Sequence, residues 1–358
     1  MAERTLFIAE AGVNHNGSID LALRLVDVAA DAGADVVKFQ TFKADHLATA
    51  GAAKAGYQAA NTGESGSQLE MLRRLELAPR DHEALVARCR ERGIRFMSTA
   101  FDAESLAFLA TLAMPAIKIP SGDLTCGPLL LQAARLRQPL IVSTGMATLA
   151  EIEAALGVIA WGLSRDDEPR GAVDFDAAFA NDAGQRALKE RVTLLHCVTQ
   201  YPAPPHAVNL RAMHTMAAAF GLPVGYSDHT LGIDVALAAV ALGATVIEKH
   251  FTLDRALPGP DHLASIEPGE LQRLVSGIRT IESALGSPRK GPATEELANR
   301  DVARRSVVAA RPIKAGEPIT VASLAWKRPG SGLSPMRVWE LEGRPARKDF
   351  DIDEPIEP

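Results

Sequence analysis

The sequence predicts a closed (β/α)8 TIM barrel, an α/β fold, followed by a small β-rich domain, and three observations carry that prediction. Short apolar runs alternate with amphipathic helical stretches eight times along the first 285 residues. Those runs are too uniformly Val, Ile, Leu and Phe to leave a wet face, which is the pattern of parallel strands covered by helices; eight of them favour closure over an open doubly wound sheet. After Gly286 the texture changes to SPRKGPATEELANRDVARR, charged and turn-rich without apolar periodicity.

In order, the strands are TLFIA, DVVKF, IRFMST, AIKI, PLIVST, VTLLHC, PVGYS and TVIEKH. The helices are IDLALRLVDVAADAG, RDHEALVARCRERG, PLLLQAARL, TLAEIEAALGVIA, LRAMHTMAAAF, DVALAAVALG and GELQRLVSGIRTIESALG. Glycines in DAGAD, ERGIR and ALGAT supply left-handed C-caps before the next strand. Gly12 and Gly17 lack the full dinucleotide fingerprint. Two connections are long. Thr41–Pro79 follows the second strand and so lies on the catalytic face; with Tyr57, Gln58, Asn61, Thr62 and Gln68 it suits a substrate-covering loop. Residues 162–190 follow a helix and fall on the opposite face, as an interface, spacer or solvated insertion. The domains are then a barrel over 1–285, a linker over 286–303 and a β-rich domain over 304–358. A unit of about 55 residues is marginal alone, so it packs on another surface, its own barrel or a partner's.

A chain of 358 residues, 47% hydrophobic, supports a large core. A net charge of -6 and no Lys/Arg block of five or more disfavour nucleic acid as a partner. The apolar run near the N-terminus is too short for a signal-peptide core and no segment reaches the length of a membrane span, so a cytoplasmic protein without a membrane partner is expected. Cys89, Cys126 and Cys197, odd in number and unpaired in spacing, suggest buried thiols rather than disulfides or a zinc site.

In a barrel, polar residues at the C-terminal strand ends meet in one cup. They are Glu10 with Asn14 and His15, Lys38 and Gln40, Ser98 and Thr99, Lys118 and Ser121, Ser143 and Thr144, His196 and Thr199, Ser227, Asp228 and His229, and Glu248 and His250. A buried lysine costs several kcal/mol unless it meets an opposite charge or a ligand. For Lys38 and Lys118 two readings stand. With Thr99, Ser121, Ser227 and backbone amides they cradle a phosphate and a carboxylate, or they pair internally with Glu10, Asp123 or Glu248. Schiff-base chemistry at either lysine also stays open. An isolated histidine is usually a satisfied core imidazole, but His229 and His250 occupy corresponding places on consecutive strands and point to a shared cation. Such an ion would keep several waters and polarise a carbonyl oxygen. His46, His82, His206 and His214 are assigned nothing.

The motifs AEAGVNHNGS, VVKFQTF, FMSTAFD, KIPSGDL, STGM, LLHCVTQYP, GYSDHT, IEKHFTLD and LPGPDH, followed by AWKRPGSG, cover almost the whole chain. It resembles the sialic acid synthase family of nonulosonic acid synthases. The resemblance implies a barrel joined to an antifreeze-like (SAF, β-clip) domain, and a transferase that condenses phosphoenolpyruvate with an N-acetylated hexose to a nine-carbon 2-keto acid and phosphate. It implies that His229 and His250 bind Mn2+ or Mg2+ and that Glu10 is the acid/base group. Lys38, Thr99, Lys118, Ser121, Thr199 and Ser227 would hold phosphoenolpyruvate. Gln40, Asp123, Tyr201 and Asp261, with Asn61 and Thr62, would meet the sugar. Arg328 would reach the acetyl group of the sugar from the other subunit of a domain-swapped homodimer. The family also shows Asn at the position of Thr199, and the insertion near residue 170 is longer than usual. The acceptor is N-acetylmannosamine, its phosphate, or 2,4-diacetamido-trideoxymannose on the legionaminate branch; AGYQAANTGESGSQLEML resembles the neuraminate and legionaminate branches more than the pseudaminate branch. A Schiff-base aldolase, a non-catalytic sugar-binding protein and a heptulosonate-type synthase are the rivals, the last usually lacking the extra domain.

Overall fold

A computed structural model of the chain describes residues 4–62 and 66–357; residues 63–65, within the loop expected to cover the substrate, lie outside it. Strands β1 (Leu6–Gly12), β2 (Val36–Thr41), β3 (Arg95–Ala100), β4 (Ile117–Ile119), β5 (Leu140–Ser143), β6 (Val192–Cys197), β7 (Val224–Asp228) and β8 (Val246–His250) pair in parallel and in order, and β1 closes on β8. The eightfold barrel expected from the sequence is what forms. The chain divides into two compact units, Met1–Gly286 and Ser287–Pro358.

Successive side chains on a strand face opposite ways, so each barrel strand divides its residues between the interior and the helix layer. Ile8, Val36, Met97, Ala116, Ile141, Leu195 and Val246 form an apolar plug inside the barrel. Two residues further along the same faces lie Glu10, Lys38, Thr99, Lys118, Ser143, Cys197 and Glu248, and the interior turns from apolar to charged. Phe7, Val37, Phe39, Ile119, Tyr226 and Ile247 face outward into the main core beneath the helices. Gly225 is required inside, since a Cβ there would lie 2.3 Å from the Val246 carbonyl oxygen.

The same alternation removes several strand-end residues from the cup. The Ser98 hydroxyl pairs with Thr41 Oγ1 at 2.7 Å, Thr144 Oγ1 donates to the Leu195 carbonyl at 2.9 Å, and His196 Nε2 donates to the Val208 carbonyl at 2.6 Å. Asp228 is also turned outward, where Lys249 meets its Oδ2 at 2.6 Å and Tyr226 Oη and Thr230 Oγ1 donate to its Oδ1 at 3.1 and 2.8 Å. Lys249 donates as well to the Thr230 carbonyl at 2.8 Å. Both charges are buried and each is held by further hydrogen bonds besides the ion pair, which offsets part of the desolvation of a pair joining β7 to β8.

The helices read from the sequence are present. Among the further helices, Ala103–Leu109 follows β3; it is too short for its apolar period to stand out, and the Asp102 carboxylate starts it by accepting from Ser105 N at 2.8 Å. Gly33, Gly93 and Gly243 take positive φ at the turns named above. The insertion over 162–190 is helical, with Ala172–Ala180 and Asp182–Arg191 ahead of β6. Phe175 meets Trp161 of the Leu149–Ser164 helix edge-on at 6.3 Å, and a Cβ at Gly157 would lie 2.9 Å from the Phe175 carbonyl oxygen. The insertion thus thickens the helix layer instead of standing in solvent.

The second unit pairs β9 (Ser306–Ala309) with β10 (Leu324–Lys327) antiparallel over its own core of Val307, Ile313, Ile319, Leu324, Val338, Leu341 and Phe350. The stretch expected as a plain linker carries a helix, Leu297–Ala303, and groups with this unit from Ser287 onward. Cys89 and Cys197 are buried free thiols, whereas Cys126 is exposed. Among the described residues no helix is long and apolar enough to cross a membrane.

Candidate active site

A cavity of about 410 Å³ opens at the C-terminal ends of the strands. Glu10, Lys38, Gln40, Thr99, Lys118, Ser121, Asp123, Thr199, Tyr201, Ser227, His229, His250 and Asp261, all singled out from sequence, line it together. Neighbouring registers explain the convergence: Glu10 is level with Lys38 and with His250, Gln40 with Thr99, Thr99 with Lys118, and Ser227 with Glu248.

The floor is a charged lattice. Lys38 Nζ forms an ion pair with Glu10, donates to Thr99 Oγ1 at 2.8 Å and lies 3.6 Å from Glu248. Lys118 Nζ donates to Ser143 Oγ at 2.7 Å and lies 3.6 Å from the other Glu248 oxygen, which accepts from Ser227 Oγ at 3.0 Å. Gln40 Nε2 donates to Glu10 Oε1 at 3.2 Å. Of the internal partners foreseen for the lysines, Glu10 and Glu248 are used and Asp123 is not. Burial pushes Glu10 up to about 7, against the pull of Lys38 and with the help of Glu248. Burial would also raise Glu248, but Lys118 and then Lys38 overcome it and hold it at about 2. Burial lowers Lys118. The pair of carboxylates is thereby split into one that stays ionised and one poised to exchange a proton near neutrality.

Beside this floor the rings of His229 and His250 lie 5.6 Å apart. The Val198 carbonyl can only accept, so His229 donates to it from Nδ1 at 2.7 Å; burial lowers this imidazole, but a hydrogen bond with the Cys197 thiol outweighs burial and raises it, so a cation at its other nitrogen would displace that thiol. His250 Nδ1 is buried with no hydrogen-bond partner, and burial followed by His229 holds this imidazole well below its usual range, hence neutral. Two such nitrogens, one of them an orphaned buried acceptor, fit a divalent cation. Among the described residues no group of three or more His, Cys, Asp or Glu is placed to hold a metal, so water or substrate oxygens would complete its shell. Tyr201 lies over His229 at 4.1 Å and meets His250 edge-on at 5.8 Å.

Asp123 and Asp261 are each raised by burial to about 6, and Asp123 Oδ2 is buried without a partner. Asn61 and Thr62 do not line the cavity. Asn61 Nδ2 donates to the Pro260 carbonyl at 2.7 Å and Thr62 Oγ1 donates to the Gln58 carbonyl at 2.9 Å; both anchor the loop. Arg328 belongs to the second unit, exposed just past β10.

Several lining residues were not among the catalytic or substrate-binding assignments made from sequence. Glu248 is two residues before His250 on one strand face, a spacing that already gave its direction. Tyr57, on the helix Gly56–Thr62, stacks on Tyr201 at 4.9 Å, a loop contact that no local pattern announces. Cys197 Sγ lies 3.3 Å from Ser121 Oγ. Gly145 brings backbone into the same corner: its N–H donates to Ser121 Oγ at 2.9 Å, and a Cβ would lie 2.2 Å from Thr199 Oγ1.

The model of the NeuB family matches residues 25–290, and that of the SAF domain residues 304–358. The chain is 46% identical over 354 residues to the N,N'-diacetyllegionaminic acid synthase of Campylobacter jejuni, covering 99% of each chain. It is 46% identical over 336 residues to the enzyme of the same name from Legionella pneumophila, covering 94% of this chain and 88% of that one. Among solved structures it is similar to the N-acetylneuraminic acid synthetase of Leptospira borgpetersenii, at 33% identity and a TM-score of 0.67, covering 83% of this chain and 90% of the other. A match over most of the barrel, relatives aligned nearly end to end, and the convergent strand-end residues lead to one conclusion: the chain belongs to the NeuB family and ends in a SAF domain.

Proposed function

We propose that the protein is a nonulosonic acid synthase that condenses phosphoenolpyruvate with 2,4-diacetamido-2,4,6-trideoxymannose to give N,N'-diacetyllegionaminic acid and phosphate. The observation that carries this reading is the single cup in which Lys38 and Lys118 stand beside the paired imidazoles of His229 and His250. The legionaminate acceptor is preferred over N-acetylmannosamine because two relatives at 46% identity bear that name.

Lys38, Thr99, Lys118, Ser121, Thr199 and Ser227 hold the phosphate and carboxylate of phosphoenolpyruvate, with the Gly145 amide beside them. Gln40, Asp123, Tyr201 and Asp261 orient the sugar. His229 and His250 would hold a divalent cation, Mn2+ or Mg2+, whose chemistry there is Lewis-acid polarisation of an aldehyde oxygen. C3 of phosphoenolpyruvate attacks the aldehyde carbon, forming the new C–C bond and leaving positive charge at C2. Water adds at C2 as Glu10 takes its proton, and the C2–O bond then breaks to release phosphate and leave the 2-keto acid. Lysine stays non-covalent throughout, so borohydride should trap no adduct.

Phosphate release measured with the diacetamido-trideoxy sugar, N-acetylmannosamine and its 6-phosphate tests the assignment. The first should give the highest kcat/KM, and a clear preference for either of the others would move the protein to another branch.

Arg328 is assigned to the acceptor's acetyl group across a domain-swapped homodimer, working in the cytoplasm. Arg328→Ala should raise the acceptor KM or lower kcat several-fold while the melting temperature stays within the small range typical of an exposed substitution. Unchanged kinetics would remove Arg328 from the site.

A further inference from the structure

The cavity has two chemical sides. Opposite in character to the charged floor, Phe42, Leu47, Met71, Leu72, Leu75 and Phe101 line it with apolar surface. Most of them pack as a separate cluster outside the main barrel core, with Phe42 and Phe101 edge-on at 6.1 Å. The helix Gln68–Arg73 that carries Met71 and Leu72 is fixed at its start by Ser67 and Glu70, whose side chains each bond the other's backbone N–H. A side of this kind in an otherwise polar cavity is complementary to apolar ligand atoms.

Charge gives the second observation. Among the described lining residues Lys38 and Lys118 are the only Lys or Arg, and both are tied to Glu10 and Glu248 on the floor. Among the described lining residues of this chain, none on the apolar side is a lysine or arginine that could meet a phosphate on the acceptor.

We infer that this apolar wall is the subsite for the C6 methyl end of a 6-deoxy acceptor sugar, and that it sets the acceptor preference. The inference rests on the synthase reading above and deepens it. The aldehyde carbon has to sit at the floor, where C3 of phosphoenolpyruvate is held, so the far end of the sugar chain lies toward the Thr41–Pro79 loop that supplies most of the wall. A methyl there replaces water against Met71 and Leu72. A hydroxymethyl loses a hydrogen-bond partner, and a phosphate meets no counter-charge. Gln68, which lines the cavity from the same helix, and Gln58 are polar groups of the same loop within the cavity for the neighbouring C4 acetamido.

The test compares 2,4-diacetamido-2,4,6-trideoxymannose with its 6-hydroxy counterpart at saturating phosphoenolpyruvate. Apolar subsites discriminate against one added hydroxyl by about 10- to 100-fold, and the wild type should favour the 6-deoxy sugar in kcat/KM by that factor. Met71→Gln and Leu72→Asn should each shrink the ratio at least about threefold, by the same reasoning, with the KM for phosphoenolpyruvate unchanged. Equal efficiency with both sugars in the wild type overturns the inference, as does an undiminished ratio in both folded variants; if neither variant folds, the wild-type ratio decides. Absence of phosphate release with either sugar is a different result, overturning the synthase reading itself.

Discussion

Replacing His250 by Ala is expected to lower kcat for phosphate release by roughly 10³-fold, since Lewis-acid activation contributes several kcal/mol and each 1.4 kcal/mol is about tenfold. The loss should come without unfolding. His250 Nδ1 has no hydrogen-bond partner, so losing it orphans no group there, and the substitution trims a ring beside the charged floor rather than in the apolar plug. A second readout separates cation binding from other roles of the ring. Ligands that bind only the folded state raise its stability by mass action, so excess Mn2+ should raise the wild-type melting temperature and leave that of His250→Ala where it was. Full activity of the variant with chelator present would end the assignment of both histidines to a metal.

Glu10→Gln should cost about 10²- to 10⁴-fold in kcat, the usual range for removing a positioned acid–base group, and should also change the pH profile. With its carboxyl pushed to about 7, Glu10 is protonated on the acid side, where it cannot take a proton from water; kcat/KM should therefore fall as pH drops through that value. A bound cation pulls in the same direction as Lys38 and moves the limb lower. Glu248→Gln should move this limb in the opposite sense to a lost counter-charge. Loss of a neighbouring negative charge removes one of the causes raising Glu10, so the limb should shift to lower pH in that variant and vanish in Glu10→Gln. An acid limb that persists unchanged in Glu10→Gln would place the base elsewhere.

The barrel and its cup were legible because both follow from strand patterning. An apolar run ending in a buried charge, such as VVKFQ or VIEKH, has one placement in which the charges meet: the strand ends of a closed sheet. What the sequence left open was which way each strand-end side chain turns. Asp228 and His229 are adjacent in sequence, yet one faces the helices and the other the cavity, and only the register fixes that parity. Partnerships across long sequence separations were hidden too. Tyr57 finds Tyr201 from a loop whose local sequence specifies no destination, whereas Glu248, which engages Lys38 and Lys118 through the barrel interior, was among the partners the strand ends offered. The charged stretch around residue 170 stayed open between interface, spacer and solvated insertion because its composition outweighs the weak apolar period of Ala172–Ala180, which Trp161 and Gly157 of the preceding helix receive.

The Asp228–Lys249 pair bolts β7 to β8 from behind, one residue away from each histidine. The separation of the two imidazoles is therefore a dimension of the scaffold, present before any ion arrives. A chelator would strip such a centre without unravelling the protein around it, and reloading would find the cradle already cut to size.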